Sequence, residues 1–360
     1  MDKLRPRAME DSLVTALTMI APGTLLRQAI DNIVRARTGA LLVFADEALI
    51  APLISGGIHI DVALKPMILY ELAKMDGAIL LDENGHHIFH ANVQLMPDAS
   101  IDSQETGTRH RTAERAAKQL NVTAISISAA RDVVTIYVGG IRYIMDPIRT
   151  ILSKADQALQ TLERFKSRLT QVITALSALE FQEGVTLFDV TSVLQRTEMV
   201  LALAHLIERY IIELGTEGRL VQLQLQELLV NVREDRDAIL NDYLVEPTPV
   251  RVGKAREALI DLPSEQLISM NSIGAILGHP LDTSLETHLH PRGYRLLRKI
   301  PRLGQDAIAA VMGRFPTLQA IADAPVAELV AVQGIGPARA HDIKEGLGRL
   351  REMDILERFG

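Results

Sequence analysis

The sequence predicts an α/β domain with a mixed sheet at its N-terminal end, followed by an all-α remainder: a long helical spine, then short helices broken by glycine turns. Three observations carry this expectation. Short apolar runs alternate with helical patterns as far as Asp146-Pro147; beyond it strand signals vanish and apolar residues recur at spacings of three and four; and a Gly-Ile-Gly turn lies between helical patterns near the end. At 360 residues the chain is too long for one ordinary core. The expected domains are residues 1–147, 148–288 and 289–360.

Composition narrows the classes of function. A net charge of -7 argues against a surface coated in basic residues, so any nucleic-acid contact is expected to be local. The chain has no cysteine, which excludes disulfides, thiolate catalysis and cysteine zinc sites and fits a reducing cytoplasm. Met1 to Pro6 are not followed by an apolar core and a small-residue cleavage site, and no apolar run reaches about 18 residues, so a soluble cytoplasmic protein is expected. Aromatics are scarce and aliphatics abundant, as in long helices packed through Leu, Ile and Ala.

Residues 8–36 carry two helical patterns separated by Ala21-Pro22-Gly23, with Pro22 suited to the first turn of the second. Ala40 to Ala45 form a continuous apolar run, the signature of a strand buried on both faces. Gly56-Gly57 marks a turn. Further strands are expected at Ala78 to Leu81, His87 to Ala91, Val122 to Ser128, Val133 to Val138 and Ile141 to Met145, with helices at Pro66 to Lys74 and Arg109 to Asn121. In the spine, one stripe runs Ile151, Ala155, Leu159, Leu162, Leu169, Ile173, Leu176, with breaks at Gly184 and Gly215 to Gly218. A scaffold that spaces and oligomerises the other domains is its plainest role.

After the stiff connector Glu246-Pro247-Thr248-Pro249, Arg292, Arg295, Arg298, Lys299 and Arg302 place five basic residues within eleven positions without an acid. Val332-Gln333-Gly334-Ile335-Gly336-Pro337-Ala338-Arg339 follows between helical patterns. Glycines at such a turn let the backbone approach a phosphate, and Pro337 in a first helical turn leaves neighbouring N–H groups for the same anion. The stretch resembles a helix-hairpin-helix element, and Arg298 to Gly304 a degenerate first hairpin of the same type. Arg298, Lys299, Arg302, Gly334, Ile335, Gly336 and Arg339 are then candidates for sequence-independent contact with a DNA backbone; a purely structural helix turn is the alternative.

The stretch around which the chain is organised is Glu105-Thr106-Gly107-Thr108-Arg109-His110-Arg111-Thr112-Ala113-Glu114-Arg115, with Asp76-Gly77-Ala78 upstream. Basic residues in a first helical turn oppose the macrodipole, so they mark either a solvated helix start or the seat of an anion. Free N–H groups, the hydroxyls of Thr108 and Thr112 and the guanidinium groups would together hold a polyphosphate. There is neither a lysine-containing phosphate loop nor a Gly-x-Gly-x-x-Gly after a strand. His86, His87 and His90 invite a metal reading, but neighbours in a strand face opposite sides and no carboxylate sits at ligand spacing, so surface histidines are expected.

Asp76 to Ala78, Ala91-Asn92-Val93-Gln94-Leu95, and Gly107 to Arg115, in that order, resemble the diadenylate cyclase family. With a helical spine and a C-terminal helix-hairpin-helix domain, the whole chain resembles its DNA-scanning members. The fold class implied is an α/β N-terminal cyclase domain with a mixed sheet, an all-α helical spine and a C-terminal helix-hairpin-helix domain. The resemblance implies condensation of two ATP into cyclic di-AMP and two pyrophosphates, supported by Mg2+ or Mn2+. It implies Asp76 as catalytic and metal-holding residue, and Gly77, Leu95, Thr108, Arg109, His110, Arg111, Thr112, Ser128 and Arg131 at the ATP. Ala129-Ala130 departs from the more polar residues expected there. An octamer is also implied, binding branched DNA such as Holliday junctions, with bound DNA slowing synthesis. The rival is a non-enzymatic DNA-binding scaffold that senses nucleotide; the carboxylate of Asp76 argues against it, since a sensor needs no metal-holding acid.

Overall fold

The computed structural model describes residues 7–129 and 133–359. In chain order the elements of the α/β part are α1 (Arg7–Met19), α2 (Leu25–Arg35), β1 (Ala40–Phe44), α3 (Glu47–Ile50), β2 (Ile54–Ser55), β3 (Ile58–Ala63), α4 (Pro66–Leu72), β4 (Ala78–Leu81), β5 (His87–Leu95), α5 (Thr108–Leu120), β6 (Thr123–Ile127), β7 (Val134–Val138) and β8 (Ile141–Ile144). The long helices are α6 (Ile148–Phe181), α7 (Leu187–Leu214), α8 (Arg219–Leu228) and α9 (Val232–Tyr243). Shorter ones follow: α10 (Pro249–Ile260), α11 (Ser264–Leu267), α12 (Met270–Ile276), α13 (Tyr294–Leu297), α14 (Gln305–Arg314), α15 (Leu318–Asp323), α16 (Val326–Val330) and α17 (Pro337–Phe359). They form two compact units, Met1–Gln157 with Ile207–Leu223, and Ala158–Leu206 with Gln224–Gly360.

The first unit is built on an eight-stranded mixed sheet of order β2-β5-β4-β1-β6-β7-β8, with β3 added on β5. Among the described residues, only the central β1–β4 pair is parallel. That is why Ala40–Phe44 is apolar throughout: Ala40, Leu42 and Phe44 pack in the core with α1, α2 and α4, while Leu41 and Val43 pack with α3 and α5. β4 divides the same way, Ile79 and Leu81 against Ala78 and Leu80.

Three elements differ from the expected pattern. Thr24 is the cap of α2, its hydroxyl accepting from the Arg27 N–H at 3.1 Å, so Pro22 lies in the preceding turn. β5 extends to Leu95. β3 gave little signal because it is an edge strand, with Ile58 49% exposed and His59 and Asp61 breaking the apolar pattern. The Gly56-Gly57 turn joins it to β2.

In the second unit the basic run of 292–302 does not stay on the surface. Arg295 is buried against Glu180, donates to Ser177 Oγ at 3.0 Å, and shares Glu180 with the Tyr243 hydroxyl at 2.7 Å. Arg292 Nη1 donates to the carbonyls of Asp242 and Leu244, both at 2.9 Å. Buried Asp242 accepts the N–H groups of Gly293, Tyr294 and Arg295 at 2.8, 2.6 and 2.8 Å. Two of the five cations therefore satisfy inner groups, Arg295 pairing with the buried acid Glu180 and Arg292 serving backbone carbonyls, and sequence spacing could not separate them from the rest.

Breaking this pair by Arg295→Met leaves Glu180 as an unpaired buried acid. It should destabilise the second unit by about 3–5 kcal/mol, read as a lower urea midpoint for loss of helical circular dichroism.

Candidate nucleotide site and helix-hairpin-helix tandem

The parallel pairing of β1 and β4 gathers the candidate residues. Leu41 is opposite Ala78, so the segments that precede the two strands, Gly39 and Asp76-Gly77, lie at the same sheet edge. The neighbouring strands run the other way and end there: Ala78 is opposite Val93 and Ala40 opposite Ile127, which brings Leu95 and Ser128 to that edge. α5 supplies Arg109. A Cβ on Gly39 would lie 2.0 Å from Arg109 Nη1, so the guanidinium group rests directly over this glycine. Arg131 lies outside the described residues.

Gly77 has φ +108°, and a Cβ on it would meet the Asn92 carbonyl carbon at 2.8 Å and the Val93 oxygen at 2.9 Å. Both conditions demand glycine, and both come from the protein's own backbone. Asp76 beside it is exposed. Leu95 is only 9% exposed and belongs to the core cluster of Val93, Ile50 and Ala113.

Gly107 is the cap residue of α5 and offers no side-chain acceptor to the first-turn N–H groups. That first turn contains no acid, and its residues include Thr108, Arg109, His110 and Arg111, with Thr112 one turn beyond Thr108 on the same face. Such a start favours an anion. The helix also holds the loop that leads into it: Arg115 Nε donates to the Ile101 carbonyl at 2.8 Å, Lys118 Nζ to the Asp102 carbonyl at 2.9 Å, and buried Glu114 accepts from Ser103 Oγ at 2.5 Å.

His110 is oriented by residues that sequence spacing did not single out. Buried Tyr137 donates its hydroxyl to Glu105 Oε1 at 2.7 Å, so its oxygen accepts from His110 Nδ1 at 3.0 Å. Arg142 Nε donates to the same Glu105 oxygen. Burial acts to raise the Glu105 carboxyl, but the Tyr137 hydroxyl and the Arg142 guanidinium outweigh it and hold the group below the usual carboxylate range. Burial and Glu105 push the Tyr137 hydroxyl well above its ordinary value. Tyr137 and Arg142 are remote in sequence from the basic motif, and nothing local marks them.

The C-terminal elements repeat one motif twice. Arg302, Leu303 and Gly304 stand as Gly334, Ile335 and Gly336 do: the first has positive φ (+65° and +82°), the second is buried (9% and 3% exposed), and the third precedes a helix. The bonds match as well. Leu303 N–H reaches Ile300 and Ile308 N–H reaches Gly304; Ile335 N–H reaches Val332 and Ala340 N–H reaches Gly336. Among the described residues, chain neighbours apart, no atom lies within 4 Å of where a Cβ would stand on Gly304, Gly334 or Gly336, so both turns present open backbone. Ile335 is a core anchor of its turn. Arg298 donates to the Glu234 carbonyl at 2.7 Å and Arg339 to the Gly334 carbonyl at 2.7 Å, while Lys299 and Arg302 are exposed.

Comparison with known proteins gives three family matches in order. Residues 27–142 match the DisA bacterial checkpoint controller nucleotide-binding family, 145–286 the DisA bacterial checkpoint controller linker region, and 294–349 the SAM-like helix-hairpin-helix tandem. The DNA integrity scanning protein DisA of Bacillus pumilus is 46% identical over 358 residues, 99% of each chain. Those of Bacillus subtilis and Acetivibrio thermocellus are each 46% identical, covering 97% and 98% of both chains respectively.

Gly39→Ala should displace the Arg109 guanidinium and weaken ATP binding about tenfold or more, measured by calorimetry, with the circular dichroism spectrum unchanged. The Glu105 carboxyl is lowered in the folded state, so its stabilising contribution is present above about pH 4.3 and lost as pH falls through the folded value. Thermal melts of wild type and Arg142→Leu should therefore converge as the pH is taken down through that window.

Proposed function

The chain belongs to the DisA family of DNA integrity scanning proteins, and we propose that its first unit condenses two ATP molecules into cyclic di-AMP while its hairpin tandem binds DNA. The observation that supports this most is the convergence of Asp76, Gly77 and Arg109 on one sheet edge beside an uncapped helix start. In each half-reaction a ribose 3′-oxygen forms a bond to the α-phosphorus of the other ATP, the bond from that phosphorus to the bridging oxygen breaks, and pyrophosphate leaves. Two such events close the ring and release two pyrophosphates.

Arg109 and Arg111, the hydroxyls of Thr108 and Thr112 and the first N–H groups of α5 hold the triphosphate and offset the charge that grows on the leaving pyrophosphate. His110 is steadied by Tyr137 for the same task. Leu95, Ser128 and Arg131 complete the nucleotide contacts, and Gly77 keeps the strand entry narrow enough for close approach. Asp76 is in no group of three histidine or acidic side chains among the described residues. Asp76 would hold an Mg2+ or Mn2+ ion, since such hard cations are commonly held by one or two carboxylates. When bound, the ion would supply Lewis-acid polarisation of the phosphate under attack. Asp76 also accepts the proton of the attacking 3′-hydroxyl.

One domain carries one ATP site, so synthesis requires two cyclase domains face to face. An octamer supplies such pairs. Arg302, Lys299 and the open turns at Gly304 and Gly336 grip phosphates without reading bases, which suits branched DNA such as Holliday junctions. Helices α6 and α7 contribute residues to both units and are the route by which bound DNA slows synthesis. No helix of the described residues is long and apolar enough to cross a membrane.

With ATP and Mg2+ or Mn2+, the wild-type chain should yield cyclic di-AMP on chromatography. Asp76→Asn should lower the rate by at least ~100-fold while retaining ATP; product from neither protein, with ATP bound to both, would overturn the cyclase reading. The double variant Gly304→Asp/Gly336→Asp should weaken junction DNA binding about tenfold or more at 0.1 M salt, with cyclase activity retained. Junction DNA that binds wild type without slowing it would overturn the coupling.

A further inference from the structure

The histidines of β5 lie at the surface, as expected, but beside acids that sequence spacing did not reveal. No carboxylate lies near His87 or His90 in sequence at ligand spacing, yet the fold brings Asp61 to 2.6 Å from His87 Nε2 and Glu47 to 2.7 Å from His90 Nε2. Around His90 the arrangement goes further. His59 on β3 is the direct antiparallel partner of His90 on β5, which puts both rings on one side of the strand pair, with centroids 4.8 Å apart. Glu47, the first residue of α3, lies over them, its Oε1 3.9 Å from His59 Nε2. One donor atom from each of the three lies within 4.8 Å of the other two, and among the described residues this is the only such group.

We propose that Glu47, His59 and His90 form a binding site for a first-row transition-metal ion of the Zn2+, Co2+ or Ni2+ kind. It is separate from Asp76 and does not depend on the cyclase reading. Two imidazoles and one carboxylate are the ligand chemistry that such ions prefer over Mg2+ or Ca2+. A tetrahedral ion with bonds of about 2.0–2.2 Å needs ligand atoms about 3.4 Å apart. Glu47 lies 2.7 Å from His90 and 3.9 Å from His59, either side of that value, and all three donor atoms fall within 4.8 Å, so the exposed Glu47 and His59 side chains have to turn toward the half-buried His90 to close the site. Three protein ligands leave one position for water or an outside ligand.

The scaffold under the site is fixed. Asp46 caps α3 by accepting the Ala48 N–H at 2.8 Å, Ile50 of α3 is buried in the core, and the His90 side chain is only 17% exposed. Glu47 and His59, at 47% and 60%, remain open to an arriving ion. The metal would tie α3 to β3 and β5, and β5 continues from His90 into Asn92 and Val93, whose backbone abuts Gly77.

The test is a Co2+ titration of untagged full-length protein, free of nucleotide, followed by visible absorption. Wild type should show one saturable site with d–d bands, displaced by Zn2+ and retained in Asp76→Asn and His87→Gln. His59→Gln/His90→Gln should weaken it by at least ~100-fold. A wild type without a saturable site, a double variant that binds as wild type does, or loss of the site in Asp76→Asn would each overturn the proposal. Circular dichroism checks folding; should the double variant unfold, Glu47→Gln at the exposed helix start takes its place and must weaken Co2+ as well.

Discussion

The parallel pairing of β1 with β4 is the constraint on which the candidate nucleotide site depends. Two parallel neighbours begin at the same edge, so Gly39 and Asp76-Gly77, far apart in the chain, become adjacent. Their antiparallel flanks, β5 and β6, then deliver Leu95 and Ser128 to the same place. Open α/β sheets usually bind ligands beyond the carboxyl ends of their parallel strands. Here the gathered residues lie at the amino ends, because the acid and the glycines precede their strands.

Two glycines make that edge workable for different physical reasons. Gly77 is required by left-handed backbone and by contact with Asn92 and Val93, whereas Gly39 is required by a side chain, the guanidinium of Arg109. α5 begins with basic residues and an empty cap, an arrangement unfavourable for the helix alone. Its cost is offset by packing of Ala113, Ala116 and Ala117 into the core and by the bonds from Arg115, Lys118 and Glu114 to the preceding loop. The helix is thus held by its far turns, and its first turn is left uncapped. Glu105, Tyr137 and Arg142 add the lateral support that orients His110.

In the second unit, charge divides by burial. Arg295 turns inward to Glu180 and Arg292 to the backbone carbonyls of Asp242 and Leu244, while Lys299 and Arg302 stay outside near the first hairpin. The two hairpins then present the same open backbone, with Leu303 and Ile335 anchoring each turn from below. Arg302 tolerates a positive φ at the position where the second turn uses Gly334, which accounts for the weak sequence likeness between the two.

The amino-acid sequence by itself determined the order of elements, because period and turn chemistry are local. β1, β4 and the run from β6 to β8 fall within a residue or so of the expected strands, α5 starts at the expected basic turn, and the spine breaks at its glycines. The motif residues Asp76, Gly77 and Thr108 to Thr112 were legible for the same reason. Tertiary structure decided which distant residues meet: Gly39 under Arg109, Tyr137 on His110, Glu180 on Arg295, and Glu47 with His59 and His90. Such pairs depend on strand register and on which face of a helix is buried. An exposed edge strand such as β3 carries little apolar periodicity to announce either, so its histidine and acid acquired chemical meaning only when β5 was laid beside it.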